Sequence, residues 1–275
     1  MGLWNREINH ATRVHERGSI TAFFPYLSRS RAESVVYFTK QLDVTNATEF
    51  LNEKKRNGQN LSLFILIVTA ISRTFAQRPM LNRFILGRRL YQRNVVDVSY
   101  VIKRSLTDLG DELLATVPIK EGSTLNDIAE LMNKTQNDMK NKTDNGLDKL
   151  MDIFGHLPRP LMQFAFLIVR RLDFHGCIPA FIRNELPFYC SVFISNLGSI
   201  GVDAPYHHLY ELGTTSFFLA IGKPTMQPVV SKEGTIVVRK IVNLNFTVDE
   251  RICDGYYLAR SLDRFIKYLE HPETI

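Results

Sequence analysis

Asn245-Phe246-Thr247-Val248-Asp249-Glu250-Arg251-Ile252-Cys253-Asp254-Gly255 is the stretch that decides how this chain is read. An apolar strand passing through Leu244 and Phe246 runs into a turn, and a helix follows. The helix spans 255 to 269, with Leu258, Leu262, Phe265, Ile266 and Leu269 on one face. At the junction stands an acid-x-x-x-Asp-Gly signature, Glu250 to Gly255.

Just upstream, Pro228-Val229-Val230 and Ile236-Val237-Val238-Arg239 flank Lys232-Glu233-Gly234, which predicts a hairpin. Phe217 to Ile221 and Phe188 to Leu197 read as strands, the second starting after Pro187. Residues 147 to 185 differ in character. Met151, Phe154, Leu157, Leu161, Phe164 and Leu167 predict helices broken at Pro158 and Pro160. This extra segment is open to three roles, a lid, an oligomer contact or a membrane-surface patch, and packing against the body is the reading favoured.

The first half supplies the rest of an interleaved α/β pattern. Residues 1 to 19 read as a charged N-terminal arm, and Ile20 to Tyr26 as β-prone. Ser34 to Val44 predicts a long strand, and Thr45 or Asn46 the cap of a helix that Asn57-Gly58 stops. Leu61 to Ala76 predicts a largely apolar helix ending before Arg78-Pro79. Arg83 to Tyr91 reads as a hairpin turning at Gly87. Val95 to Val101 and Leu113 to Ile119 are strands, and Ser123-Thr124 caps a helix over 125 to 142. Several strands arrive as hairpins, which predicts a mixed sheet with flanking helices rather than a purely parallel one.

The composition sets outer bounds. The chain has 275 residues, 45% of them hydrophobic, enough for a substantial core. Its formal net charge of +6 is spread along the chain, with no nucleic-acid motif and no basic stripe interleaved with aromatics. A solvated surface accounts for the charge, and an anionic ligand such as coenzyme A would also fit. Cys177, Cys190 and Cys253 are too few and too far apart for a disulfide framework or a zinc set, which points to a reducing, cytoplasmic setting. The N-terminus lacks the apolar core of a signal peptide. The apolar runs at 61–71 and 164–169 fall short of the ~18 residues that mark a membrane span.

Taken together, these segments resemble the chloramphenicol acetyltransferase and dihydrolipoyl acyltransferase superfamily. Phe193-Ile194-Ser195-Asn196-Leu197-Gly198 is similar to that family's Phe-Thr-Ile-Ser-Asn-Leu-Gly segment, and Ala220-Ile221-Gly222-Lys223-Pro224 with Gln227-Pro228-Val229-Val230 to the strand and hairpin after it. Asp249 to Gly255 resembles Asp-His-Arg-x-x-Asp-Gly, with Glu250 where the family has histidine. Tyr268-Leu269-Glu270-His271-Pro272 fits the family's closing Leu-Glu-x-Pro. The resemblance covers roughly residues 20–142 and 190–272; the 147–185 segment lies outside it. It implies one chloramphenicol-acetyltransferase-like domain over 20–272. No lipoyl or subunit-binding segment is read before it, so a stand-alone domain is expected.

The resemblance also implies a chemistry. An acyl group would move from an acyl-CoA thioester to a small-molecule or carrier-bound acceptor, in a channel shared between the subunits of a homotrimer, with no metal. The family's histidine acts as general base and a hydroxyl stabilises the oxyanion. Carried over, Glu250 takes the base position and Ser195 best matches the hydroxyl, although Ser191 shares its strand face. Asp254, Gly255 and Asn196 are expected to be structural members of the motifs, Asp254 holding the turn and Gly255 permitting tight entry into the helix. No residue is assigned to coenzyme A. A glutamate carboxylate titrates near ~4.3 in water, and burial raises it. Three readings of Glu250 follow: a working base, a salt-bridged residue of an inactive scaffold, or a position whose task has passed elsewhere. His207-His208 is the adjacent histidine pair, and His208 is the candidate substitute, against the plainer reading of a loop pair. Without a Cys or Asp cluster it is a poor zinc set. Cys253 is expected to be packed in the core.

Overall fold

The computed structural model describes residues 10–15, 20–103, 112–141, 154–231 and 233–275. Most of the expected arm, the start of the 147–185 segment and Lys232 lie outside these residues. In chain order the strands are β1 (Ala11–Arg13), β2 (Val35–Asp43), β3 (Arg83–Leu86), β4 (Arg89–Arg93), β5 (Val96–Lys103), β6 (Glu112–Ile119), β7 (Val192–Asn196), β8 (Phe217–Ile221), β9 (Thr225–Val230) and β10 (Ile236–Asp249). The helices are α1 (Phe24–Leu27), α2 (Thr45–Arg56), α3 (Leu63–Gln77), α4 (Leu125–Asn141), α5 (Arg159–Phe174), α6 (Ala180–Arg183) and α7 (Gly255–Glu270).

β10 organises the main sheet. Its side chains alternate between Leu244, Phe246 and Val248, which enter the core, and Asn243, Asn245 and Thr247, which face the other way. It pairs antiparallel with β2 along one edge, and with β9 and then β8 along the other. The sheet continues β8-β7-β5-β6, with β7 parallel to both β8 and β5. The sheet is therefore mixed, as the hairpin-rich pattern predicted. Helices α2, α3, α4 and α7 cover the core face. Phe246 is fully buried, its ring edge-on to Phe217 and Phe265 at 5.9 Å each. Trimming such a ring to alanine costs about 3–5 kcal/mol.

Local signals explain most boundaries. Ser62 caps α3 by accepting the Ile65 N–H, and Thr124 and Asp127 cap α4 reciprocally. The β3–β4 turn places Gly87 and Arg88 both at positive φ, the geometry of a tight hairpin. β1 adds to this hairpin to make a small second sheet. Arg93 on β4 is buried and donates to the Cys190 carbonyl at 2.9 Å, tying the small sheet to the large one.

Four expectations change. Ile20–Tyr26 forms a 3-10 turn and the start of α1 rather than a strand, because Pro25 sits in the first turn of a helix. Pro160 does not break a helix; it stands at the start of α5, where its missing N–H costs nothing. β7 begins at Val192, since the Phe188 carbonyl is taken by the N–H groups of Thr214 and Thr215. Among the described residues of the extra segment the favoured packing holds only at Asp173 and Ile178, which are buried, whereas Leu161, Phe164, Phe166, Leu167 and Ile168 are exposed.

Candidate functional site

The face of the sheet without helices carries the candidate residues in register. One cross-strand row joins Ser195, Ala220, Asn245 and Thr39. The next joins Phe193, Phe218, Thr247 and Tyr37. β10 then ends at Asp249, opposite Val35, and Glu250 follows. The chain from 202 to 210 lies over these rows. Asn243 donates to Asp203 at 2.8 Å, Asn245 donates to the Ala204 carbonyl at 2.8 Å, and Thr247 donates to the His207 carbonyl. Tyr206 meets Thr39 at 2.6 Å.

The signature residues divide into buried supports and one open carboxylate. Asp249 and Arg251 are buried and form a two-pronged ion pair, with Nη2–Oδ2 at 2.7 Å and Nε–Oδ1 at 2.8 Å. Arg251 also donates to the Ser28 carbonyl at 3.0 Å. Arg31 packs close by and donates to the carbonyls of Gly213 at 2.6 Å and Glu211 at 2.7 Å. Burial pushes its guanidinium below its usual range, and Asp249 and Asp173 partly restore it. Between the two paired residues Glu250 is exposed and makes no hydrogen bond or ion pair among the described residues. Asp249 and Arg251 thus neutralise each other and fix the backbone that presents Glu250.

Asp254 caps α7, accepting the Tyr257 N–H at 2.8 Å, which is a turn-holding position. Gly255 departs from expectation. It is not at positive φ, and a Cβ there would meet nothing within 4 Å, so the entry to the helix does not require glycine. Cys253 is buried, and burial pushes its thiol up to about 12, the reverse of an activated nucleophile.

The two serines separate clearly. Ser191 is buried, and its hydroxyl accepts the Asp97 N–H at 3.0 Å. Ser195 is half-buried, and its hydroxyl has no partner among the described residues. Asn196 closes β7 and leads into the Leu197–Ile200 turn. That turn approaches β8 so closely that a Cβ on Gly198 would stand 2.5 Å from the Gly222 carbonyl. The row holding Ser195 and the one holding Asp249 are four residues apart on the strands, about 13 Å at ~3.3 Å per residue.

The histidine pair reaches the same face. His207 stacks on Phe218 at 4.1 Å with the rings nearly parallel, and its Nδ1 meets the His208 carbonyl at 2.7 Å. Burial lowers its basicity first of all, which favours the neutral ring. His208 is exposed, with its ring 4.6 Å from His207 and 5.0 Å from Tyr210. Thr39, Tyr206 and Asn245 join the face unforeseen; the period-2 pairing of β2 with β10 was the signal available for two of them. Among the described residues no group of three or more His, Cys, Asp or Glu is placed to hold a metal ion.

Residues 190–275 match the family model of the 2-oxoacid dehydrogenases acyltransferase (catalytic domain). A Listeria monocytogenes probable dihydrolipoamide acetyltransferase superposes with a TM-score of 0.60 at 17% identity, over 94% of each chain. The fold is that of the dihydrolipoamide acyltransferase catalytic domain. Chloramphenicol acetyltransferase shares it, with a TM-score of 0.53 at 12% identity over 90% of this chain and 92% of that one. The Azotobacter vinelandii dihydrolipoamide acetyltransferase, solved to define the role of a serine, a histidine and an asparagine in its catalysis, superposes with a TM-score of 0.57 at 16% identity over 93% of this chain and 91% of that one. In sequence, the lipoamide acyltransferase component of the Bacillus subtilis branched-chain alpha-keto acid dehydrogenase complex is 25% identical over 89% of this chain. The match spans 49% of that protein's length. The Arabidopsis thaliana mitochondrial counterpart is 32% identical over 31% of this chain and 17% of its own length.

Proposed function

We propose that this chain is a CoA-dependent acyltransferase whose sites form between subunits of a homotrimer, Glu250 of one subunit facing Ser195 of the next. The observation that carries the reading is the pairing of two unengaged side chains with their separation. Glu250 and Ser195 both lack partners among the described residues, yet the row holding Ser195 lies about 13 Å along the strands from that of Asp249, after which Glu250 comes. One subunit does not bring them to a single carbonyl, whereas a base and a hydroxyl from neighbouring subunits can meet. The acyltransferase fold and its dihydrolipoamide acetyltransferase neighbours support this reading.

In the reaction, the acceptor's thiol or hydroxyl attacks the thioester carbonyl while the Glu250 carboxylate takes its proton. The Ser195 hydroxyl donates to the oxyanion that forms. The oxyanion collapses, the C–S bond breaks, and the leaving CoA sulfur recovers the proton from Glu250. Asp249 and Arg251 hold the Glu250 backbone, and Asp254 anchors the helix behind it.

The test is release of free CoA thiol from acetyl-CoA in the presence of dihydrolipoamide. Glu250→Gln should lower the rate at least ~100-fold, since a positioned base contributes about 10²–10⁴-fold. A glutamine variant as fast as the parent removes Glu250 from the chemistry.

One observation favours a second reading, a non-catalytic binding or scaffolding member of the same fold. No group among the described residues engages the Glu250 carboxylate itself, whereas general bases are held by a further group. Acetyl-CoA titration followed by calorimetry separates the two, because a scaffold without an acyl-CoA site shows no binding heat.

A further inference from the structure

We propose that the cleft between α1, the β3–β4 turn and the C-terminal half of α5 binds a small phosphate monoester with an apolar body. This inference does not depend on the chemistry of Glu250.

The cleft measures about 590 Å³, the size of an ordinary small-molecule site. Five arginines line it against two carboxylates, Asp173 and Glu211. Arg31 and Arg251 are buried at its floor and committed to backbone carbonyls and to Asp249. The two carboxylates are engaged as well. Asp173 accepts from the Tyr189 hydroxyl at 2.7 Å and the Gly213 N–H at 3.1 Å, and Glu211 accepts the N–H groups of Ala32 at 2.9 Å and Arg31 at 3.3 Å. Arg29, Arg88 and Arg170 remain; all three are exposed and make no ion pair among the described residues. They come from three separate elements, and a concave wall concentrates the field of like charges on whatever enters.

The rest of the lining is apolar. Phe166, Arg170 and Phe174 are four residues apart and share one face of α5, so an aromatic wall stands beside a guanidinium. Pro25 of α1 and Leu86 of β3, both buried, line the cleft too. Arg88 holds a φ of 60°, a conformation that an arginine adopts at a cost, and its guanidinium lies 5.8 Å over the Tyr26 ring. The turn that carries it packs against the Phe174 carbonyl, which seats the α5 wall.

Charge and shape select the ligand. A phosphate monoester brings nearly two negative charges at neutral pH and three terminal oxygens, which guanidinium forks pair two at a time. A carboxylate brings one charge and two oxygens. The α5 wall belongs to the 147–185 segment, outside the stretch that resembles the acyltransferases, so the cleft is an addition to that fold and its ligand is distinct from the acyl donor.

Isothermal titration calorimetry of the full chain with phenyl phosphate, benzoate and phenol tests this. Phenyl phosphate should bind with a Kd below ~1 mM, benzoate at least ~10-fold more weakly, and phenol not at all. Arg29→Gln, Arg88→Gln and Arg170→Gln together should weaken phenyl phosphate at least ~30-fold, with circular dichroism unchanged. Arg170→Gln alone, on the solvent side of a formed helix, should weaken it about 5-fold. The readout is binding rather than acyl transfer, so it stands or falls apart from Glu250. The proposal is overturned if phenyl phosphate at ~10 mM gives no binding heat, or if benzoate binds as tightly. It is overturned equally if either arginine variant binds like the parent. Competitive displacement of phenyl phosphate by acetyl-CoA also overturns it, because the cleft would then be the acyl donor's own site.

Discussion

Asp249 and Arg251 show how the signature divides its work among neighbouring residues. Both are buried, and their charges cancel within the pair. Removing one partner strands the other in a low-dielectric site, so Arg251→Met should cost about 3–5 kcal/mol, read from urea denaturation. If that variant is as stable as the parent, the pair does not hold the Glu250 turn. His207 yields a prediction with a sign. Its folded basicity lies below the ordinary value of 6.5, so the unfolded chain binds the extra proton. Its contribution to stability is complete above pH 6.5 and is lost as pH falls through the lower folded value. His207→Gln should therefore flatten the fall in denaturation midpoint on the acid side of pH 6.5. An unchanged slope would mean that the ring on Phe218 is not held neutral.

At the scale of elements, α5 is held at its C-terminal end. A Cβ on Gly87 would stand 2.5 Å from the Phe174 carbonyl, and Gly87 is itself at φ 57°. Gly87→Ala meets both obstacles and should cost about 1–3 kcal/mol while loosening α5, which hydrogen exchange over 159–174 would report. Protection equal to the parent would show that the turn does not seat the helix. The same elements show what the sequence makes legible. α3, the β3–β4 hairpin, β8 and α7 were readable because cap, turn and periodicity agree with what buries them. Ile20–Tyr26 was misread because its β-prone composition yielded to a proline that fits a first helical turn. The exposure of α5 was not legible at all, since an apolar run looks the same in sequence whether a core or a partner covers it.

For the whole molecule, what matters is where one chain ends and the next begins. Ser195 and Glu250 could be picked out by motif, but their separation along the sheet could not, because it depends on register among β7, β8 and β10. The proposed homotrimer, with its sites between subunits, predicts a particle of three times the 31.6 kDa chain, measurable by light scattering. It also predicts complementation. A Glu250→Gln chain keeps its serine, and a Ser195→Ala chain keeps its carboxylate. In randomly mixed trimers a site assembled across the interface receives both intact groups in roughly one case in four, whereas a site within one chain never does. Co-expression of the two inactive variants should therefore recover roughly one quarter of the parent rate. Recovery near zero, with mixed trimers present by mass, would place the chemistry within a single subunit.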